Sequence, residues 1–425
     1  VIEDVTERAS LAAELAREQS DRRAVARAAA VIVPHATIEA SAQSVCDGIG
    51  SLEGVDWAAL LRRLPDGRVV TLGALLPANA SMVQAPLAPE VSDALWALTD
   101  AGAWVVPWEE TSEQPGPGVE ALRPVGSTAL GGTPLVADGR VVATVVVGTS
   151  DPDGVAFLEA RMGVVAEVVA HAGVVLGGQF SELDDQEATR ERIGAVIAAH
   201  RFHPVFQPIV DLDGGDVVGY EALTRFHDGT RPDLAFAEAH AVYMGFELEE
   251  ACLGAALVES GRLPEGLWVS LNVSPALVLA GRVPPLVRGQ PRPVVLEVTE
   301  HDEVADYAAL RRALHSVPGV LVSVDDAGAG YASLRHVVEL EPDLVKLDIG
   351  LVRAIEKDPA RQAMVAGMRH FADETGTELL AEGVETEREA ETLRALGVTL
   401  AQGYLFGRPG RVSEVAGVSS SPTTP

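Results

Sequence analysis

Glu221-Ala222-Leu223-Thr224-Arg225 opens a series of oxygen-bearing residues that sit at the C-terminal ends of apolar, strand-like runs. Asn272 ends Leu267-Trp268-Val269-Ser270-Leu271, and Glu297 ends Val294-Val295-Leu296. Asp325 and Asp326 end Leu321-Val322-Ser323-Val324, and Glu382 ends Leu379-Leu380-Ala381. From His200 to about Arg408 such runs alternate with helical periodicity, which predicts an α/β barrel over residues 197–411. In a barrel of that kind the strand ends converge on one mouth, so these side chains are expected to meet there.

A chain of 425 residues is too long for one ordinary core, and two domains are expected. Hydrophobic content of 47% with 22% charged residues describes a globular chain. The longest apolar stretch, around Val164 to Gly178, carries Glu167 and His171 and reads as a buried or interhelical face instead of a membrane span. Val1 to Asp21 are charged throughout and lack the layout of a signal peptide, so the expected location is the cytoplasm. Cys46 and Cys252 lie in different halves and indicate neither a disulfide framework nor a cysteine metal site. A net charge of −30 excludes a nonspecific nucleic-acid binder, which needs clustered Lys and Arg. A small anionic substrate remains compatible if divalent cations invert the field at the acidic mouth.

The first half mixes element types. A helix is expected over residues 1–24, another from Ala36 to Leu52, and a third from Ser92 to Thr99. Trp57 to Leu64 and Val69 to Leu76 read as strands joined by the turn Pro65-Asp66-Gly67, and Ala103 to Trp108 as extended. Pro134 to Thr149 reads as a hairpin around Ala137-Asp138-Gly139. Helical periodicity returns from Asp153 to Gly178 and again from Glu182 to Ala199, with residues 179–196 expected as a helical linker between domains. Residues 412–425 end in Ser, Thr and Pro without periodicity and are expected to be a disordered tail.

Glu221, Asn272, Glu297, Asp325 and Asp326 form a donor set with no neighbouring His or Cys. Oxygen-only ligands select hard cations, so Mg²⁺ or Mn²⁺ is expected over Zn²⁺ or copper, and the number of carboxylates suggests two ions. Two ions would polarise a phosphodiester, deprotonate a water and stabilise the leaving oxygen. Singly, each residue reads equally as a solvated loop acid. As a set they do not, because each follows a buried-looking strand where an unpaired charge is costly.

The chain from about Arg192 to Pro409 resembles the EAL phosphodiesterases. The resemblance rests on Phe206-Gln207-Pro208-Ile209, Glu221-Ala222-Leu223-Thr224-Arg225, Leu271-Asn272-Val273-Ser274 and Leu296-Glu297-Val298-Thr299-Glu300. It continues through Asp325-Asp326-Ala327-Gly328-Ala329-Gly330-Tyr331, Val345-Lys346-Leu347-Asp348, Ala381-Glu382-Gly383-Val384-Glu385 and Gln402-Gly403-Tyr404. It implies a TIM-like, modified β/α barrel that hydrolyses cyclic di-GMP to linear pGpG, or a catalytically silent receptor for that nucleotide, in a homodimer. By the same resemblance Glu221, Asn272, Glu297, Asp325 and Asp326 hold two ions, while Lys346 and Glu382 serve the attacking water and the phosphate. Gln207, Arg225, Asp233, Glu385 and Gln402 are the implied substrate contacts, Arg225 as a forked phosphate clamp. Asp233 also reads as a helix cap. Residues 25–178 resemble a GAF sensory module of unknown ligand, although their sheet-and-helix order also fits a PAS-like module. Cys46, Trp96, Trp104 and Trp108 could line a pocket there, but core packing is the plainer reading.

The chain departs from the family pattern after the paired aspartates, where Ala327, Ala329 and Ala332 make a smaller, less polar loop and alter its contact with Glu300. Gly214-Gly215-Asp216 resembles part of a cyclase signature but lacks the following acid and aromatic, and reads as a hairpin turn.

Overall fold

The computed structural model describes residues 2–64, 67–76, 89–108, 126–298, 304, 306–327 and 331–415, with backbone alone at 2–7 and 331–334. The chain divides into two units, Val1–Asp185 and Gln186–Pro425.

In the first unit, β1 (Trp57–Arg63), β2 (Val69–Leu75), β3 (Trp104–Pro107), β4 (Ala129–Ala137) and β5 (Arg140–Thr149) form an antiparallel sheet in the order β2-β1-β5-β4-β3. Strand side chains alternate between faces, and both faces of this sheet are covered, so β1 and β5 read as nearly continuous apolar runs. Ala58, Leu60, Val145 and Val147 pack with Val45, Cys46 and Ile49 of helix Ile38–Gly50 and with Leu158 and Val165 of helix Gly154–Ala198. Trp57, Ala59, Leu61 and Val146 form a second cluster with Leu95 and Trp96 of helix Pro89–Asp100, and Trp104 and Trp108 pack against it. Cys46, Trp57 and Trp96 are therefore core residues, and Trp104 and Trp108 are partly buried against that core.

Two glycines make room for the aromatic rings. Gly148 pairs with Trp57 and Gly132 with Trp104. A Cβ at Gly148 would lie 2.0 Å from the Trp57 indole nitrogen, and one at Gly132 would lie 2.3 Å from the Trp104 ring.

The expected interruption before residue 182 does not occur, and Gly154–Ala198 is one helix of 45 residues. No proline intervenes, and the buried stripe of Val168, Val169, Ala172 and Leu176 continues to Phe180. This helix is long and apolar enough to cross a membrane by length and composition, yet half of its apolar window is buried inside the fold.

The second unit is a closed eight-stranded barrel of β6 (Phe202–Asp211), β7 (Val217–Phe226), β8 (Trp268–Val273), β9 (Val294–Val298), β10 (Val320–Ala327), β11 (Leu344–Leu347), β12 (Glu378–Ala381) and β13 (Leu400–Gln402). All neighbours are parallel except β6, which runs antiparallel to both β7 and β13. The reversal follows from the tight turn at Gly214-Gly215-Asp216, where Gly215 takes a positive φ of 75° and a helix has no room to intervene. Ile209, Leu344, Leu380 and Leu400 cluster inside as an apolar floor. With a period of two along each strand, the lumen positions above them are Gln207, Lys346, Glu382 and Gln402.

Residues 412–415, expected as the start of a disordered tail, are ordered. Val412–Val415 forms a helical turn, the Glu414 carboxylate accepts the Arg411 N–H at 2.8 Å, and Val415 is buried. Residues 416–425 lie outside the described residues, as do Pro65 and Asp66 of the expected turn.

Replacing Gly148 by alanine should destabilise the protein by about 1–3 kcal/mol through overpacking against Trp57. Replacing Gly163, a helical glycine with open space at its Cβ, should be neutral or stabilising by about 0.5–1 kcal/mol. Denaturant midpoints of the two variants measure the contrast.

Candidate active site

The barrel registers decide which side chains meet. Glu221 on β7 pairs with Gln207 on β6 and Ser270 on β8, and Asn272 on β8 pairs with Glu297 on β9. Glu221 and Glu297 therefore lie within their strands and are buried, not at the strand tips. Lys346 on β11 is 1% exposed, which excludes a surface lysine.

Four carboxylates surround the Lys346 ammonium. Its Nζ lies 2.6 Å from Glu382 Oε1, 2.9 Å from Glu297 Oε2, 3.1 Å from Asp325 Oδ1 and 3.5 Å from Glu221 Oε1. Asn272 donates its Nδ2 to Glu221 Oε1 at 3.1 Å. Gln402 donates to the other Glu221 oxygen and to Gln207 Oε1 at 3.1 Å, while Gln207 donates to the Gly407 carbonyl at 3.2 Å.

Adjacent residues of a regular strand point to opposite faces, so Asp325 and Asp326 should not share a site. A register irregularity between Val324 and Ala327 removes the conflict, because Asp326 takes a left-handed φ of 54° and its N–H bonds Asp325 Oδ1 at 2.9 Å. One oxygen each from Asp325, Asp326 and Glu382 then falls within 4.8 Å of the others.

Charge balance tests whether a metal fits. Around Lys346, burial pushes the Glu382 carboxyl up to about 8, with Asp325 and Glu221 adding to the rise despite the nearby ammonium. Burial likewise drives Glu297 well above its ordinary value, assisted by Glu221 and Asp325. Glu221 is also buried, yet Lys346, Gln402 and Asn272 outweigh that and hold it below the usual range. Burial would lower Lys346, but the four acids raise it well above its ordinary value. One ammonium is thus shared among four carboxylates, Glu221 and Glu297 buried and Asp325 and Glu382 partly so, and hard divalent cations on these oxygen donors would offset the excess negative charge.

Gln207, Glu221, Asp325, Lys346, Glu382 and Gln402 line a cavity of about 520 Å³ together with Arg353, Glu385 and Tyr404. A larger one of about 950 Å³, between the start of β6 and helix Gly245–Ser260, contains none of them. Arg225 does not line that cavity: it is exposed, donates to the Thr224 carbonyl at 2.8 Å and lines a space of about 230 Å³ whose wall includes Asn272, the amide bonded to Glu221. Asp233 is exposed in the first turn of helix Pro232–Ala241, pairs with Arg231 at 2.6 Å and does not act as the cap, whose position is Arg231. Glu300 and Ala329 lie outside the described residues, and Ala327 is fully buried. Sequence reasoning missed Arg353, which follows the short helix Ile349–Val352 and pairs with Glu385. The capping box Thr386 to Glu389 that organises the Glu385 turn was readable as Thr-x-x-Glu.

The EAL domain family matches residues 187–409, just over half the chain, and the GAF domain family matches residues 37–176. The chain belongs to the EAL domain family and carries a GAF domain ahead of the barrel. Cyclic di-GMP phosphodiesterase RocR of Pseudomonas aeruginosa is 30% identical over 225 residues, covering 49% of this chain and 57% of RocR. Cyclic di-GMP phosphodiesterase PdeL of Escherichia coli is 28% identical over 239 residues, covering 52% and 66%. An uncharacterized protein of Mycobacterium tuberculosis is 32% identical over 223 residues, and the chain spans only 36% of its length. Among solved structures, an EAL domain protein from Listeria monocytogenes superposes with a TM-score of 0.48 at 25% identity, over 53% of this chain and 95% of that one.

Two outcomes test this geometry. Glu382 keeps its proton to about pH 8 when folded but only to its ordinary value of 4.5 when unfolded, so the metal-free protein should lose stability as pH rises between those values. Glu297 acts in the same direction. Lys346, raised, and Glu221, lowered, change charge above and below that window. Melting temperature in chelator should therefore fall from pH 5 to pH 8, and added Mg²⁺ or Mn²⁺ should raise it more at pH 8 than at pH 6. Asp326→Asn should preserve metal-free stability, since Asn tolerates the left-handed region, whereas Asp326→Val should cost about 1–2 kcal/mol or more; urea denaturation of both variants in chelator reads the difference.

Proposed function

We propose that the barrel hydrolyses cyclic di-GMP to linear pGpG in a reaction dependent on two divalent cations, and that the GAF domain regulates it. The observation that carries this reading is the complete set of Glu221, Asn272, Glu297, Asp325, Asp326, Lys346 and Glu382 around one lumen. The names of RocR and PdeL support the substrate.

Glu221, Asn272, Glu297, Asp325 and Asp326 would hold Mg²⁺ or Mn²⁺, which when bound would supply Lewis-acid activation of water and neutralise phosphate charge. The residues of the chain do the rest. Asn272 and Gln402 each hold one Glu221 oxygen and fix the plane of its carboxylate. Lys346, whose ammonium stays charged across the neutral range, stabilises negative charge developing on the phosphate. Glu382, whose Oε1 lies 2.6 Å from the Lys346 Nζ, would orient the attacking water beside that ammonium. The apolar floor of Ile209, Leu344, Leu380 and Leu400 closes the lumen below and keeps bulk water from these charges.

The test is incubation of the purified chain with cyclic di-GMP and Mg²⁺ or Mn²⁺, with chromatographic detection of pGpG. Turnover is expected with either ion and none in chelator. Lys346→Ala should lower kcat by roughly 10²–10³, the loss typical of a fixed charge-stabilising donor, and Glu221→Ala should abolish turnover. Nucleotide binding without turnover in both ions would replace this reading with that of a silent receptor.

A further inference from the structure

A phosphodiester entering an acidic cavity needs a cation that the protein has not already committed to its own carboxylates. Lys346 is committed to four of them. Among the described residues lining the 520 Å³ cavity, the other cation is Arg353. Its guanidinium Nη2 pairs with Glu385 Oε1, with the two side chains 54% and 42% exposed. An exposed pair of that kind stabilises by about 0–1 kcal/mol, so a phosphate can displace the carboxylate at small cost. The planar fork then offers two parallel N–H bonds, which an ammonium cannot copy.

The backbone around this pair is held more firmly than a surface contact requires. Ala354, next in the chain, takes a left-handed φ of 55°. A non-glycine residue there is strained by about 1 kcal/mol or more, and such strain persists only where surrounding bonds over-determine it. Here Glu389 Oε1 accepts the Ala354 N–H at 2.8 Å, and Glu389 Oε2 accepts the N–H groups of Glu385 and Thr386 at 2.9 Å each. Arg361 donates to the Arg353 carbonyl. One buried carboxylate thereby fixes both turns that carry the pair.

We propose that Arg353 binds a phosphate of the substrate at the cavity mouth, that Glu385 is the partner it leaves on binding, and that Glu389 is the positioning residue for both. This deepens the reading of the barrel as a cyclic di-GMP site and rests on it.

Steady-state kinetics and calorimetric titration of cyclic di-GMP on the full chain test it. Arg353→Ala should raise KM and the calorimetric Kd by about tenfold or more with a much smaller change in kcat, and Arg353→Lys should not restore them. Glu385→Gln should tighten binding by about two- to threefold, because it removes the competing charge. Glu389→Gln should weaken binding with the Arg353 side chain intact. The Mn²⁺-induced rise in melting temperature should be unchanged in the Arg353 and Glu385 variants. Wild-type KM and Kd in Arg353→Ala would overturn the inference and leave the proposed function standing, and so would a loss confined to Mn²⁺ binding. A wild-type chain that neither binds nor hydrolyses the nucleotide would remove both.

Discussion

One buried ammonium stands between four carboxylates in the barrel lumen, and much of the second unit follows from keeping that group paired. Lys346 sits on a four-residue strand between Val345 and Leu347, whose side chains belong to the outer core. Only closure of the sheet on itself brings β7, β9, β10 and the end of β12 around a side chain of β11. Removing one partner from such a cluster leaves an uncompensated charge away from water, which costs more than the contact itself contributes. The amides of Asn272 and Gln402 complete the arrangement by donating to the two Glu221 oxygens, while Gln207 accepts a second bond from Gln402.

The same cluster explains why the barrel departs from regularity where it does. A strict strand offers every second residue to the lumen, enough for Gln207, Lys346 and Gln402 above their apolar floor. Two consecutive aspartates cannot both be served that way. The irregularity at Asp325 and Asp326 is the local concession, and it places Asp326 toward Asp325 and Glu382 while Val324 and Ala327 stay in the core.

Much of this was legible before any coordinates. The periodicities of the first half located the strands and helices of the GAF domain to within a few residues, because apolar alternation and turn residues are local signals. Glu221, Asn272, Glu297, Asp325, Asp326 and Glu382 were legible as a set because each follows or interrupts an apolar strand with a polar group, whereas Lys346 was legible through the family resemblance. Arg225, one residue before the end of β7, and Asp233, in the first turn of helix Pro232–Ala241, are exposed, and where an exposed side chain points is settled by neighbours distant in the chain. Arg353 was invisible for the same reason, since it approaches Glu385 from another turn. The sequence of helix Gly154–Ala198 reads as two helices because charge rises after Gly178, whereas the buried stripe, which decides helix continuity, runs on through Phe180.

The left-handed backbone at Asp326 has a genetic side. Aspartate codons lie one nucleotide from those of asparagine, glycine, alanine and valine, and the first two accept this backbone while the last two are strained by it. A point mutation can therefore delete one carboxylate and leave a barrel that folds. Under the proposed two-cation reading, loss of chemistry is thus uncoupled from loss of structure at this codon, and a duplicated gene could move from hydrolysis to recognition without passing through an unfolded protein.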